Sequence, residues 1–263
     1  MTTSIPYQSI SPTAGRVRLL ASVMNTQEAA IAVRGGAEII DAKDPTRGAL
    51  GALDSATLRA IRKAVPASIA LSATTGDIPV HETGRIVNEI LRVAEAGADF
   101  VKIGMFTPAN GDRECAALLD QLESLNGAGT AHGRRVAVLI ADCAPDWTMI
   151  ERLPLAGFCG VMLDTFDKAS GSLFDITTFD ELQSFVDHAH RVGLFAGLAG
   201  ALRLRHIHDV KVIGPDVAGF RGALCEGADR TGKMDEDAVC AIRSALTAGT
   251  SAGSELASAR PTG

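Results

Sequence analysis

The sequence predicts an α/β fold of the (β/α)8 TIM-barrel class, formed by a single domain with a flexible tail at each end. Three observations carry this expectation. Short β-branched or apolar runs alternate regularly with helical patterns. Eight such strand–helix units fit into about 235 residues, close to the ~250 typical of a closed barrel. The first strand is followed by Val23-Met24-Asn25-Thr26, without the glycine fingerprint that an open doubly wound sheet places there.

The elements follow in order. Strands are expected at 18–23, 39–42, 69–73, 100–103, 136–140, 161–163, 194–198 and 217–220, each short enough to be buried. The first helix, 26–34, has a cap at Asn25/Thr26 and stops at Gly35-Gly36, where glycine tolerates a left-handed turn. The second, 55–64, ends before Pro66. Helical patterns at 85–96, 112–125, 148–153, 179–192, 204–213 and 235–248 complete the alternation. Several helix-to-strand joins share a Gly-Ala-acid-apolar cast, as in 35–40 and 96–101 and more loosely in 214–220. Alternating strands and helices imply parallel pairing through right-handed crossovers. The barrel therefore spans 16–248. The Ser/Thr/Pro-rich 1–15 and the Ala/Gly/Ser-rich 249–263 are expected tails, too poor in apolar surface to offset their ordering entropy.

Composition excludes several classes of function. A hydrophobic share of 46% supports a globular core, and no run approaches the ~18 apolar residues of a membrane span. A net charge of −6 argues against a general nucleic-acid binder. The start of the chain does not read as a signal peptide. The five cysteines form no CxxC pair, so neither a disulfide framework nor a zinc site is indicated, and a reduced cytoplasm fits best. Of the 25 basic residues only six are lysines: Lys43, Lys63, Lys102, Lys168, Lys211 and Lys233. Arginine stays protonated, whereas lysine becomes an amine nucleophile when its pKa falls. Placement decides which lysines matter.

Barrel chemistry gathers at the C-terminal ends of the strands. Asp41 and Lys43 share one face of the second strand, and Ile40 and Ala42 the other. With the aliphatics against the helices, the charged pair faces the interior at the top, either as an ion pair closing the core or as part of a site. Lys102 lies near the end of the fourth strand. Asp142 follows the fifth, and Asp164 ends the sixth with Lys168 four residues on. Three of the six lysines thus sit at strand ends beside aspartates, which one active site explains more economically than three separate ion pairs. Two lysines in one pocket raise the cost of both being charged, and aspartates hold them or pass protons. Imine formation with an aldehyde or ketone is the natural chemistry of such a set.

The last two strands end in glycine, at Gly197-Leu198-Ala199-Gly200-Ala201 and Gly219-Phe220-Arg221-Gly222-Ala223. This is where barrels hold phosphate, on backbone N–H groups. Gly200, Ala201, Gly222 and Ala223 are the expected ligands, and Arg221 offers a bidentate contact. Other motifs carry less. The glycines of 127–133 follow a helix, at the wrong end of the barrel. His188/His190 and His206/His208 sit two apart on helices and suit no common metal. Cys225 reads as a packed thiol, and Trp147 as a residue that starts or packs the fifth helix.

At these residues the chain resembles the (5-formylfuran-3-yl)methyl phosphate synthase family. The resemblance rests on Ile39-Ile40-Asp41-Ala42-Lys43-Asp44-Pro45 with 48–52, and on Ser72-Ala73-Thr74-Thr75-Gly76-Asp77-Ile78-Pro79. It continues through Met162-Leu163-Asp164-Thr165, Leu173-Phe174-Asp175, Leu198-Ala199-Gly200, Arg221-Gly222-Ala223, Asp229-Arg230, Gly232-Lys233 and Asp235. It runs in consistent order from about Leu19 to Ala245. It implies a TIM-barrel lyase that joins two glyceraldehyde 3-phosphates into 4-(hydroxymethyl)-2-furancarboxaldehyde phosphate with loss of phosphate and water. The product is a precursor of methanofuran-type C1 carriers. It further implies Lys43 as the Schiff-base lysine with Asp41, Lys102 as an acid–base lysine, and Asp164 and Lys168 as the remaining pair. No metal or organic cofactor is implied. The expected partner is the small-molecule substrate, with no nucleic acid or membrane, and the protein is expected to be a homo-oligomer. Two other readings suit the same residues: a Schiff-base aldolase acting on a sugar phosphate, and a non-catalytic barrel that binds phosphorylated metabolites.

Overall fold

A computed structural model describes residues 15–106, 112–126, 134–167 and 171–248. The two expected tails beyond these limits, the 127–133 stretch and Lys168 lie outside the described residues. Eight parallel strands pair in sequence order into a closed barrel, with the eighth returning to the first. They are β1 (Arg18–Val23), β2 (Ile39–Ala42), β3 (Ala70–Thr74), β4 (Phe100–Gly104), β5 (Arg134–Ile140), β6 (Phe158–Asp164), β7 (Phe195–Leu198) and β8 (Val217–Phe220). The helices are α1 (Thr26–Arg34), α2 (Ser55–Ala64), α3 (Thr83–Glu95), α4 (Asp112–Asn126), α5 (Leu173–Ile176), α6 (Phe179–Arg191), α7 (Ile207–Ile213) and α8 (Glu236–Thr247).

Local chemistry fixes several of these boundaries. Asn25 and Asp54 accept the backbone N–H groups of Glu28 and Thr57, satisfying orphan donors at the starts of α1 and α2. Thr178 and Glu181 form a reciprocal capping box at the start of α6. Gly214 ends α7 in the left-handed region at φ 71°. Two expected helices change form. The segment expected as a helix at 148–153 is the 3-10 turn Trp147–Arg152, bounded by Pro145 and Pro154 and too short to develop an α-helix. Trp147 starts this turn and packs edge-on against Phe185 of α6. The pattern at 204–213 divides into the 3-10 turn Leu204–His206 and α7. The short α5 was not expected, because four residues carry no readable period.

Alternation divides the core in two. Leu19, Ala21 and Val23 of β1 belong to the larger cluster, which fills the layer between barrel and helices. Leu20, Ile39, Ala70, Phe100, Val136, Met162, Phe195 and Val217 form the second cluster, inside the barrel. Phe100 and Phe195 meet edge to face at 5.9 Å across this interior. Gly160 makes room for it, since a Cβ there would lie 2.3 Å from the Phe195 ring. Four inward strand positions above this apolar plug are polar, Ser22, Asp41, Ser72 and Lys102, and all are buried. Register places Ser22 beside Asp41, Asp41 beside Ser72, and Thr74 beside Lys102. The apolar floor thus carries a sealed polar layer at the catalytic end of the barrel.

Candidate active site

A cavity of about 260 Å³ opens over that layer. Its wall includes Asp41, Lys43, Lys102, Asp164, Gly200, Ala201, Arg221, Gly222 and Ala223. The structure therefore brings together nine of the ten residues singled out in the sequence. The tenth, Lys168, lies outside the described residues.

Asp41 is the centre of the floor and has no exposed surface. Its Oδ2 accepts from Ser22 Oγ at 3.1 Å and from Lys102 Nζ at 3.0 Å, and its Oδ1 accepts from Ser72 Oγ. Burial pushes its carboxyl pKa up, but the ammonium groups of Lys102 and Lys43 and the Ser72 hydrogen bond outweigh that and hold it below the usual carboxylate range. Lys102 is only 2% exposed, so its contact with Asp41 is a buried ion pair. The alternation of strand side chains accounts for the convergence. Ser22, Asp41, Ser72 and Lys102 each occupy the inward parity of their strand. Ser22 and Ser72 were not singled out from the sequence, although that parity is the signal that finds them.

Lys43 continues the inward parity of β2 one step beyond its end. Its Nζ lies 3.9 Å from Oδ2 of Asp164, and both side chains are nearly buried. The other oxygen of Asp164 accepts the N–H of Thr165 at 2.8 Å, which fixes the carboxylate at the end of β6. Asp142, at the end of β5, accepts the N–H groups of Phe166 and Asp167 at 2.8 and 2.7 Å. It therefore pins the segment that leads into Lys168.

The loop after Lys43 is held by the second diagnostic motif. Asp77 accepts the N–H groups of Ala49 and Leu50 at 3.0 and 2.7 Å. Gly48 permits this approach: its φ is +110°, and a Cβ would fall 1.8 Å from the Asp77 carboxylate. Asp77 of the Ser-Ala-Thr-x-Gly-Asp stretch thus braces the loop that continues the Asp-x-Lys-x-Pro stretch.

On the opposite wall, Gly200 (φ +102°) and Ala201 (φ +49°) carry the chain sharply away from β7. A 3-10 turn, Gly222–Leu224, follows β8. Among the described residues, the backbone N–H groups of Gly200, Ala201, Gly222 and Ala223 have no backbone acceptor. They are the unsatisfied donors that an anion site uses. Arg221 departs from the bidentate anion contact expected of it. Its Nη1 and Nη2 grip Glu28 of α1 at 2.5 and 3.0 Å. Its remaining N–H groups reach the carbonyls of Ser22, Arg230 and Gly232 at 3.1, 2.8 and 3.3 Å. Glu28 reads in the sequence only as a first-turn acid, so nothing local announces this clamp.

The other candidates stay outside the cavity. His188 pairs with Glu151, and His190 with Asp216, each at 2.8 Å. No cluster of three metal-ligating side chains occurs among the described residues. Burial pushes the Cys225 thiol up, consistent with a packing role. No helix among the described residues is long and apolar enough to cross a membrane.

Comparison with known proteins agrees with the geometry. The model of the 4-HFC-P synthase family matches residues 19–243. A Methylorubrum extorquens protein, provisionally named a (5-formylfuran-3-yl)methyl phosphate synthase, is 40% identical over 91% of this chain and 96% of its own. The (5-formylfuran-3-yl)methyl phosphate synthase of Methanocaldococcus jannaschii is 35% identical over 84% of this chain and 96% of its own. Among solved structures, phosphoribosyl anthranilate isomerase from Thermus thermophilus superposes with a TM-score of 0.59 at 13% identity, covering 88% of this chain and 98% of that one. A 3-hexulose-6-phosphate synthase gives 0.57 at 19% identity, covering 87% and 99%. These two likenesses show the barrel fold alone. The match to the family model and the level of identity to its named members, over most of the chain, place this protein in the (5-formylfuran-3-yl)methyl phosphate synthase family.

Proposed function

We propose that the protein is a lyase that condenses two molecules of glyceraldehyde 3-phosphate into (5-formylfuran-3-yl)methyl phosphate through an imine on Lys43. The observation that carries this reading is the pair of nearly buried lysine–aspartate contacts, Lys102–Asp41 and Lys43–Asp164, in the wall of one cavity. Lys102 is anchored on Asp41 in the floor at 2% exposure, whereas Lys43 stands beyond the end of β2 at 7%, which favours Lys43 as the amine that meets a carbonyl carbon.

The amine of Lys43 bonds to the aldehyde carbon, and the carbonyl oxygen leaves as water. The iminium then acidifies the neighbouring C–H. A base takes that proton, and the phosphate on the next carbon departs as the electron pair returns. In this reading Asp164 exchanges protons with Lys43 and Lys102 acts as acid or base beside Asp41, roles that the two ion pairs support. Lys168 joins this set in the same reading. Two triose phosphates hold the atoms of the furan phosphate plus one phosphate and two waters, so no oxidant or cofactor is needed. The unsatisfied N–H groups of Gly200, Ala201, Gly222 and Ala223 support a phosphate position opposite the lysines. The product serves a methanofuran-type C1 carrier, and the protein acts in the cytoplasm as a homo-oligomer.

Incubation with glyceraldehyde 3-phosphate tests the reading. It predicts phosphate release and a furan-aldehyde absorption in equal amounts. Folded protein that produces neither contradicts it. An imine trapped without phosphate release points to an ordinary aldolase.

A further inference from the structure

The anion wall lacks the guanidinium that its sequence suggests. A guanidinium has five N–H donors, and on Arg221 all five are taken by Glu28 and by the carbonyls of Ser22, Arg230 and Gly232. Two other arginines line the same cavity with donors to spare. Arg203 uses one, from Nη1 to the carbonyl of Ala228 at 2.8 Å. Arg230 uses two, from Nη2 to the carbonyls of Pro45 and Gly48 at 2.6 and 3.0 Å. Four donors remain on Arg203 (five less one) and three on Arg230 (five less two), unpaired among the described residues.

Their placement gives these donors a use. Nη1 of Arg203 lies 3.5 Å from where a Cβ on Gly222 would stand, beside the unsatisfied N–H groups of the 3-10 turn after β8. Arg230 rests against the loop that follows Lys43. Pairing Lys102 with Asp41, Lys43 with Asp164 and Arg221 with Glu28 leaves Arg203 and Arg230 as the cations of the wall that have no ion pair among the described residues. The remaining acid there, Asp229, is turned to the N–H and hydroxyl of Thr231.

We infer that Arg203 and Arg230 are the specificity-determining residues that hold the phosphate groups of the substrates, and that Arg221 is a positioning residue that ties the end of β8 to α1. The inference rests on the triose-phosphate reading above and deepens it. Two phosphates enter per turnover, and the cavity offers two open guanidinium forks, one beside the backbone donors and one beside the Lys43 loop. A fork matches phosphate oxygens two at a time. An unphosphorylated aldehyde leaves both forks without a partner, so the pair selects for phosphorylated substrates.

The test uses the full chain, with inorganic phosphate as the binding probe and glyceraldehyde 3-phosphate as the substrate. Arg203→Gln and Arg230→Gln are each expected to weaken phosphate binding by calorimetry, and to raise KM, by about tenfold or more. The loss should be specific to phosphate: the fall in phosphate affinity and the rise in KM should exceed any change in borohydride trapping of unphosphorylated glyceraldehyde on Lys43. Arg230 also braces the Lys43 loop, so a second measurement uses the unsubstituted protein. There, saturating phosphate should slow phenylglyoxal modification of Arg203 and Arg230, read by peptide mass spectrometry. Unchanged phosphate affinity in the folded variants, or modification rates indifferent to phosphate, overturns the assignment. If phosphate protects both arginines but glyceraldehyde 3-phosphate is not turned over, the anion site stands and the triose-phosphate reading fails. If turnover occurs and the variants match the unsubstituted protein, the reverse holds.

Discussion

Nζ of Lys102 lies 3.0 Å from Oδ2 of Asp41, and both groups are sealed between the apolar plug of the barrel and the cavity above it. A charge pair so placed stabilises the fold only while both members are present. Asp41→Asn leaves a buried ammonium without its counter-ion. The expected cost is about 3–5 kcal/mol by urea unfolding, with loss of turnover in whatever fraction stays folded. A variant that keeps both stability and turnover would remove Asp41 from the site.

The same pair fixes an acid dependence. The Asp41 carboxyl is held below its ordinary value of 3.8 in the folded chain, so the unfolded chain takes up a proton first as the pH drops. Its contribution is complete above that value and is lost as the pH falls through the folded-state pKa. The stability gap between the unsubstituted protein and Asp41→Asn should therefore be constant near neutrality and narrow in strong acid. Unfolding curves collected from pH 7 downward check this, and a gap that widens in acid contradicts the sign.

Glu28 and Arg221 form a second buried pair, joining α1 to the end of β8. Glu28→Ala leaves the Arg221 guanidinium charged and unopposed, and about 3–5 kcal/mol of stability should be lost in denaturant unfolding. A loss under about 1 kcal/mol, the range of exposed pairs, would show that the clamp is not formed in solution.

Gly48→Ala tests the brace on the loop that follows Lys43. The substitution meets both an unfavourable φ of +110° and the Asp77 carboxylate. Backbone strain of about 1–3 kcal/mol is expected, together with a fall in kcat/KM as the Ala49–Leu50 segment is released from Asp77. Equal thermal midpoints and equal kinetics would mean that Asp77 does not hold this loop.

Much of this arrangement is legible in the sequence because it rests on short-range periodicity. Asp41 and Lys43 are two residues apart on a strand, so their common face follows from the pleat, and the same rule turns Lys102 inward. Asp164 is found because a strand end in a barrel is a defined place. What the sequence does not reveal depends on contacts that no period encodes. The commitment of Arg221 to Glu28 spans 193 positions in the chain. The cavity-facing guanidiniums of Arg203 and Arg230 depend on the paths of two loops. The 3-10 turn at Pro45–Arg47 and the four-residue α5 are too short to show a hydrophobic period, and Trp147–Arg152, which reads as a helical pattern, is held to a 3-10 turn between two prolines. For α5, the Ser172/Asp175 spacing was the available signal: a capping box in which Asp175 accepts the Ser172 N–H at 2.7 Å.

The central claim is that Lys43 is the nucleophile, and one measurement addresses it most directly. The protein is incubated with glyceraldehyde 3-phosphate, reduced with borohydride, digested, and mapped by mass spectrometry, with Lys43→Arg treated in parallel. The account predicts a covalent substrate adduct on Lys43 and neither adduct nor turnover in Lys43→Arg, since an arginine keeps the charge but cannot form the imine. An adduct found on Lys102 instead, or turnover that survives in Lys43→Arg, would contradict it.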